Sequence, residues 1–225
     1  MELSRRRLLR LREDLRRWGA LRFLHRRVMR LLKPVLTVHF AKLRPLRPPS
    51  PEQLVVPAGF SIRIPTEDDL KAAAQDPHLQ MSPRFVSNAC RRHDICVAAY
   101  FDNRMVAYVW RAHQPCPHAS GLWVEFPEPY RYGYKALTLE DYRGLHLQPV
   151  LGLFSDDVSL ARGATLGLSL IETHNYSSLA LAKRNGSKTV GMSGWITLFG
   201  RTITFRSPGL RKQGIGFAFR GGNEV

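Results

Sequence analysis

The sequence predicts a mixed α/β fold: a largely antiparallel central sheet flanked by helices, behind a separate basic amphipathic helix. Three observations carry that reading. Short runs rich in Val, Ile, Tyr and Phe alternate with helix-spaced segments after residue 58. The first 43 residues place leucines at helical spacing among arginines. Five prolines then divide the two regions.

In the first region Leu8, Leu11, Leu15, Trp18, Leu21, Leu24, Val28 and Leu31 recur at steps of three and four, which puts them on one helical face. Arginines occupy the other faces. Residues 1–50 hold 15 Lys and Arg against Glu2, Glu13 and Asp14, so most of the net charge of +16 sits here. Such a helix, over residues 5–32, suits the headgroup region of an anionic membrane. Packing of the stripe on its own domain or on a partner is the second alternative, and a basic arm on nucleic acid the third. No apolar run is long enough to cross a bilayer, and arginines interrupt every candidate leader core. Three cysteines are odd in number and too few for a disulfide framework, which points to the cytoplasm, peripheral to the inner face of a membrane in the first alternative.

Residues 1–43 are thus read as the helix, 44–57 (RPLRPPSPEQLVVP) as a semi-rigid linker, and 58–225 as the folded domain. Within the domain, 60–64 reads as a strand and Thr66 caps a helix with acids in its first turn. Residues 77–92 read as loop and short helix. A hairpin over 95–112 turns at Asp102-Asn103, and 121–126 and 130–139 are extended. Residues 146–162 are helical, 165–171 a strand, and 176–185 a helix ended by Gly186. A final strand pair, 189–199 and 201–205, closes around Gly200.

The most informative stretch is EDYRGLHLQPVLG, residues 140–152. An extended run meets a helix through an Arg143-Gly144 turn, with Pro149 in the first helical turn, where its missing N–H costs nothing. Such a junction leaves the amides of Gly144, Leu145, His146, Leu147 and Gln148 without helical partners at the positive end of the helix dipole, a seat for an anion. Arg143 adds a charge suited to phosphate.

Together with the following strand and Asn175-x-x-Ser178, the segment 139–191 resembles the core of the GNAT superfamily of acyl-CoA-dependent N-acyltransferases, and the likeness extends loosely over 58–207. The resemblance implies acetyl-CoA or another acyl-CoA as cosubstrate, its pyrophosphate cradled by Arg143 to Gln148 and its pantetheine arm beside Asn175 and Ser178. It also implies an oxyanion donor among the amides of 137–139, Leu139 included. His146 and Gln148 stand where the family's loop has glycines, Ala182 where it often has a tyrosine acid, and Ser187 where an aromatic is usual.

A base for the amine is sought near these strands. Glu125, Glu128, Glu140 and Asp141 qualify by position; Glu125, in WVEF, either gains a raised pKa by burial or alternates outward. His174 faces the reacting centre or merely enters a helix, and Tyr130, Tyr132 and Tyr134 line an acceptor pocket or the core. No metal is expected, because Cys90-x-x-His93-x-x-Cys96 and His113-x-x-Cys116-x-His118 lack the spacings zinc sites favour. The expected activity is transfer of an acetyl or longer acyl group to the amine of a small-molecule, lipid or saccharide acceptor. The alternatives are a non-catalytic binding module of the same shape, or a nucleic-acid or membrane binder acting through the arginine helix.

Overall fold

The computed structural model describes residues 19–119 and 121–221; Leu8, Leu11, Leu15, Trp18 and the arginines before them lie outside the described residues. Helix α1 (Ala20–Leu32) buries none of its residues. Leu21, Leu24 and Leu31 are 86%, 60% and 79% exposed, so this part of the apolar stripe does not pack on the domain. One flank does dock: His25 Nδ1 lies 2.6 Å from the Tyr176 hydroxyl, and Arg22 sits over the same ring.

The helical spacing ends at Leu32, but residues 1–43 read as one helical region and 44–57 as a linker. Instead α1 stops ahead of Pro34, which cannot continue a helix, and Leu36–Pro45 is a strand, β1. Thr37, His39 and Ala41 alternate inward at the period of a strand. β1 lies between β8 (Leu166–Glu172) and β9 (Lys188–Leu198), antiparallel to both. The proline-rich stretch is no free linker either: its 3₁₀ turn, Pro51–Leu54, packs against helix α4 (Leu147–Ala161).

The large sheet has eight strands in the order β10–β9–β1–β8–β7–β4–β3–β2, with β2 (Phe60–Arg63), β3 (Ile95–Phe101), β4 (Arg104–Ala112), β7 (Tyr130–Thr138) and β10 (Arg201–Arg206). Every neighbouring pair is antiparallel except β7 and β8. A second sheet, β11–β6–β5, joins β5 (Cys116–Ala119), β6 (Leu122–Glu125) and β11 (Gly216–Phe219). β5, β11 and the short helix α6 (Pro208–Lys212) were not anticipated, being too brief to show a period.

β3 and β4 are buried on both faces, which explains their near-continuous apolar sequence. Cys96, Ala98, Tyr108 and Trp110 face α2 (Glu67–Ala73) and α3 (Pro83–Arg91) through Leu70 and Val86. Val97, Ala99, Ala107 and Val109 face Leu147 and Leu151 of α4. α4 is therefore clamped at its first two turns, and its start is fixed relative to the end of β7.

Candidate functional site

β7 and β8 pair in parallel only over 130–132 against 166–168. Beyond that point each stays with its outer neighbour, β7 with β4 to Thr138 and β8 with β1 to Glu172, so the two strands part. The notch between them is a cavity of about 680 Å³. Tyr134 and Ala136 of β7, Ser169 and Ile171 of β8, Gly152 of α4, and Ser178 and Ala182 of α5 (Tyr176–Arg184) line it.

The rim forms where β7 runs into α4. Tyr142 N–H donates to Leu139 and Arg143 N–H to Glu140, closing a 3₁₀ turn over Glu140–Tyr142. Gly144 then takes φ +85° and His146 φ 57°, both left-handed. Among the described residues the amides of Gly144, Leu145, His146, Leu147 and Gln148 donate to no carbonyl of a turn, loop or cap. They form the free positive end of a 15-residue helix. His146 occupies a conformation that glycine adopts without steric cost. Gln148, at the other glycine position, turns its amide onto the sheet. Its Nε2 donates to Leu137 O at 2.8 Å, Thr138 Oγ1 at 3.0 Å and Tyr108 O at 3.3 Å. The side chain that replaces glycine is thus spent tying α4 to β7 and β4.

Leu139, expected to present its amide to a ligand, donates it to Val106 O at 2.9 Å. Successive strand amides point to opposite edges, so Ala136 and Thr138 are the residues whose N–H groups face the notch. Leu147 sends its side chain into the core, 2% exposed, and contributes only backbone to the rim. Arg143 is exposed, its Nε 3.4 Å from Thr138 O. Across the notch Asn175 Oδ1 accepts from Ser178 N at 3.2 Å and caps α5. Of the residues expected to bind the cosubstrate, the structure brings Gln148, Asn175 and Ser178 into the cavity lining.

The catalytic candidates lie elsewhere. Glu125 Oε1 accepts from Arg220 at 2.6 and 2.9 Å, at the end of the central strand of the small sheet. It pairs outward there because its alternate neighbour Val124 takes the core side. Asp141 is exposed in the 3₁₀ turn. His174 Nε2 pairs with Glu172 at 3.0 Å on the side where α1 docks, and burial lowers its pKa. No Asp, Glu or His is among the described residues lining the notch. Ala182 does line it, so the position of the family's tyrosine faces the cavity without a proton to give. Of the tyrosines, Tyr132 is core and Tyr134 lines the notch while its hydroxyl donates to Asp94 at 2.9 Å. Cys96 and Cys116 are buried, and no group of three His, Cys, Asp or Glu among the described residues is arranged to hold a metal.

The sequence reading missed the floor of the notch. Arg44 from β1, Arg111 from β4 and Arg131 from β7 all line it. Asp156, on the third turn of α4, accepts from Arg44 and Arg131. The signals were Arg131 inside the aromatic run YRYGY and the helical SDDVS, but nothing local says that they meet.

No family model matches the chain, and no curated protein is similar to it at a significant level. Solved structures are. A Drosophila protein overlays with a TM-score of 0.52 at 14% identity, covering 76% of this chain and 55% of its own. A tandem GNAT protein from the clavulanic acid biosynthesis pathway gives 0.51 at 16%, covering 76% and 54%. The chain spans about half the length of each. A ribosomal-protein-alanine N-acetyltransferase from Brucella melitensis overlays at 0.42 with 17% identity, covering 65% and 98%. The overlay with the tandem GNAT protein shows a GNAT fold.

Proposed function

We propose that this protein transfers an acyl group from an acyl-CoA to the amine of an acceptor, with the acyl donor lying in the notch between β7 and β8. One observation carries the reading: an open notch leads to the start of α4 with its five unpaired amides, and Gln148, one of the two side chains at glycine positions, is tied to the sheet. The residues fit a diphosphate there, since backbone N–H groups and the helix dipole need no further charge to hold an anion. The cosubstrate supplies an already activated thioester.

The protein's own part is then positioning. The rim amides and Arg143 anchor the diphosphate, the walls of the notch exclude water from the arm, and the amides of Ala136 and Thr138 face the carbonyl to polarise it. With no carboxylate or imidazole among the described residues lining the notch, the amine enters already neutral or gives its proton to solvent. The lining also favours a second reading, binding without transfer.

The test is calorimetry with acetyl-CoA on the wild type and on Ala136→Trp, which fills the notch from an exposed wall position. Saturable binding at one site, lost in the variant, supports the proposal; no binding by the wild type overturns it. Thiol release on adding amines separates transfer from binding alone.

We further propose that α1 works at an anionic lipid surface. Leu21, Leu24 and Leu31 are exposed beside Arg27 and Arg30, the arrangement of an interfacial helix. Co-sedimentation with vesicles containing phosphatidylserine should fall sharply in a Leu21→Asp, Leu24→Asp, Leu31→Asp variant. Equal co-sedimentation of variant and wild type excludes a role for this face.

A further inference from the structure

The floor of the notch holds more positive charge than its own fold neutralises. Three guanidinium groups converge from three strands, and the one carboxylate among them is Asp156, fully buried. Arg111 Nε donates to Ser155 Oγ at 3.0 Å and one of its terminal nitrogens to Trp110 O at 3.1 Å, neither of them charged. Arg131 is 3% exposed, and its Nε is buried with no partner. An unpaired charged donor in that setting is costly unless something meets it.

Two glycines let the strands approach these groups closely. A Cβ at Gly133 would stand 3.1 Å from the Arg111 guanidinium, and one at Gly167 would stand 3.4 Å from that of Arg131. The two glycines sit on β7 and β8 where the parallel pairing ends, at the closed end of the notch. Burial, and then repulsion from a neighbouring guanidinium, push Arg111 and Arg131 below their ordinary pKa. A guanidinium keeps its proton, so that direction records an unmet electrostatic cost. The cluster is also separate from the phosphate seat: His146 to Asp156 is about 15 Å of helix at 1.5 Å per residue. One anion cannot serve both.

We propose that Arg111, Arg131 and Arg44 form a subsite for a carboxylate carried by the substrate, which completes the charge balance of the floor. Planar guanidinium forks match a carboxylate with paired, charge-assisted hydrogen bonds. The inference rests on the acyltransferase reading for the direction of approach: a donor anchored at the rim and running down the notch brings its acyl end to the floor. The carboxylate belongs either to that acyl group, as in a dicarboxylic monothioester, or to an acceptor amine that meets it there.

Two pairs of ligands distinguish the sources. Calorimetry compares succinyl-CoA with acetyl-CoA; steady-state rates with acetyl-CoA compare amino acids with their amides as acceptors. A preference of about tenfold or more for the carboxylate-bearing member of either pair is expected, shrinking to within about twofold in Arg111→Gln. The glutamine keeps a donor for Ser155, and Arg44→Gln, at a partly exposed position, serves as a second variant if the first fails to fold. Acetyl-CoA binding with no preference in either pair overturns the subsite and leaves the acyltransferase reading intact. If no acyl-CoA binds, succinate alone decides: a thermal shift present in the wild type and absent in Arg111→Gln keeps the subsite while the acyltransferase reading falls, and no shift removes both.

Discussion

The two ends of the notch are built in opposite ways. The rim presents backbone: five amides at the start of α4, with the side chains of Leu147 and Gln148 turned to the core and the sheet. The floor presents side chains, three arginines and a buried aspartate drawn from β1, β4, β7 and α4. A backbone seat tolerates sequence change, which is why His146 and Gln148 can replace glycines without closing it. A side-chain seat does not, because each charge is balanced against the others. The comparison predicts that substitutions at the floor damage the fold, whereas those at the rim mainly damage binding.

The strongest way to break that comparison is Asp156→Asn. It leaves Arg44 and Arg131 without their shared counter-ion, and denaturant unfolding should show a loss of about 3–5 kcal/mol. A loss near that of a surface change would mean the floor is solvated and not balanced.

Acid should come next. His39, on the face of β1 opposite Arg44, is held by burial and by neighbouring His118 at a pKa of about 3. Its folded value is depressed, so the unfolded chain takes up a proton that the folded one refuses. Stability is therefore complete above about pH 6.5 and falls as the pH drops toward 3, by about 1.4 kcal/mol per unit in the steep part. Thermal unfolding between pH 7 and 5 measures it, and His39→Gln should flatten the slope.

Gln148→Ala sharpens the contrast at the rim. Losing contacts to Leu137, Thr138 and Tyr108 should cost about 1–2 kcal/mol in denaturant unfolding and weaken acetyl-CoA further by releasing the start of α4. The smallest effect belongs to Glu125→Gln. It breaks a partly exposed pair with Arg220, worth about 0.5 kcal/mol, and transfer rates should be unchanged because the residue is outside the notch.

Much of the rim was legible because it is local. Arg143-Gly144, Pro149 and the capping Asn175 each act within a few residues of themselves, and turn and cap chemistry reads directly from such neighbours. Even there Leu139 misled, since which edge a strand amide faces depends on the partner strand, here Val106. The floor was illegible for the same reason on a larger scale: Arg44 and Asp156 are 112 residues apart. β1 was hidden because leucines and basic residues on both sides of Pro34 look alike in sequence. Its alternation of Thr37, His39 and Ala41 gains meaning only once β8 and β9 flank it. Glu125 sits in an apolar run, yet the partner that claims it, Arg220, lies 95 residues on.

By itself the sequence determined the turns at Asp102-Asn103 and Gly200, the Thr66 cap, the helix end before Gly186, and that a strand-to-helix junction near Gly144 would expose amides; all follow from dihedral preferences and caps acting over a few residues. Tertiary structure alone decided that β1 is a central strand, that β7 and β8 part after 132 and 168, and that three arginines share one aspartate beneath the gap. Those outcomes depend on which distant groups compete for the same hydrogen bonds and the same charge, and no short window of residues contains both competitors.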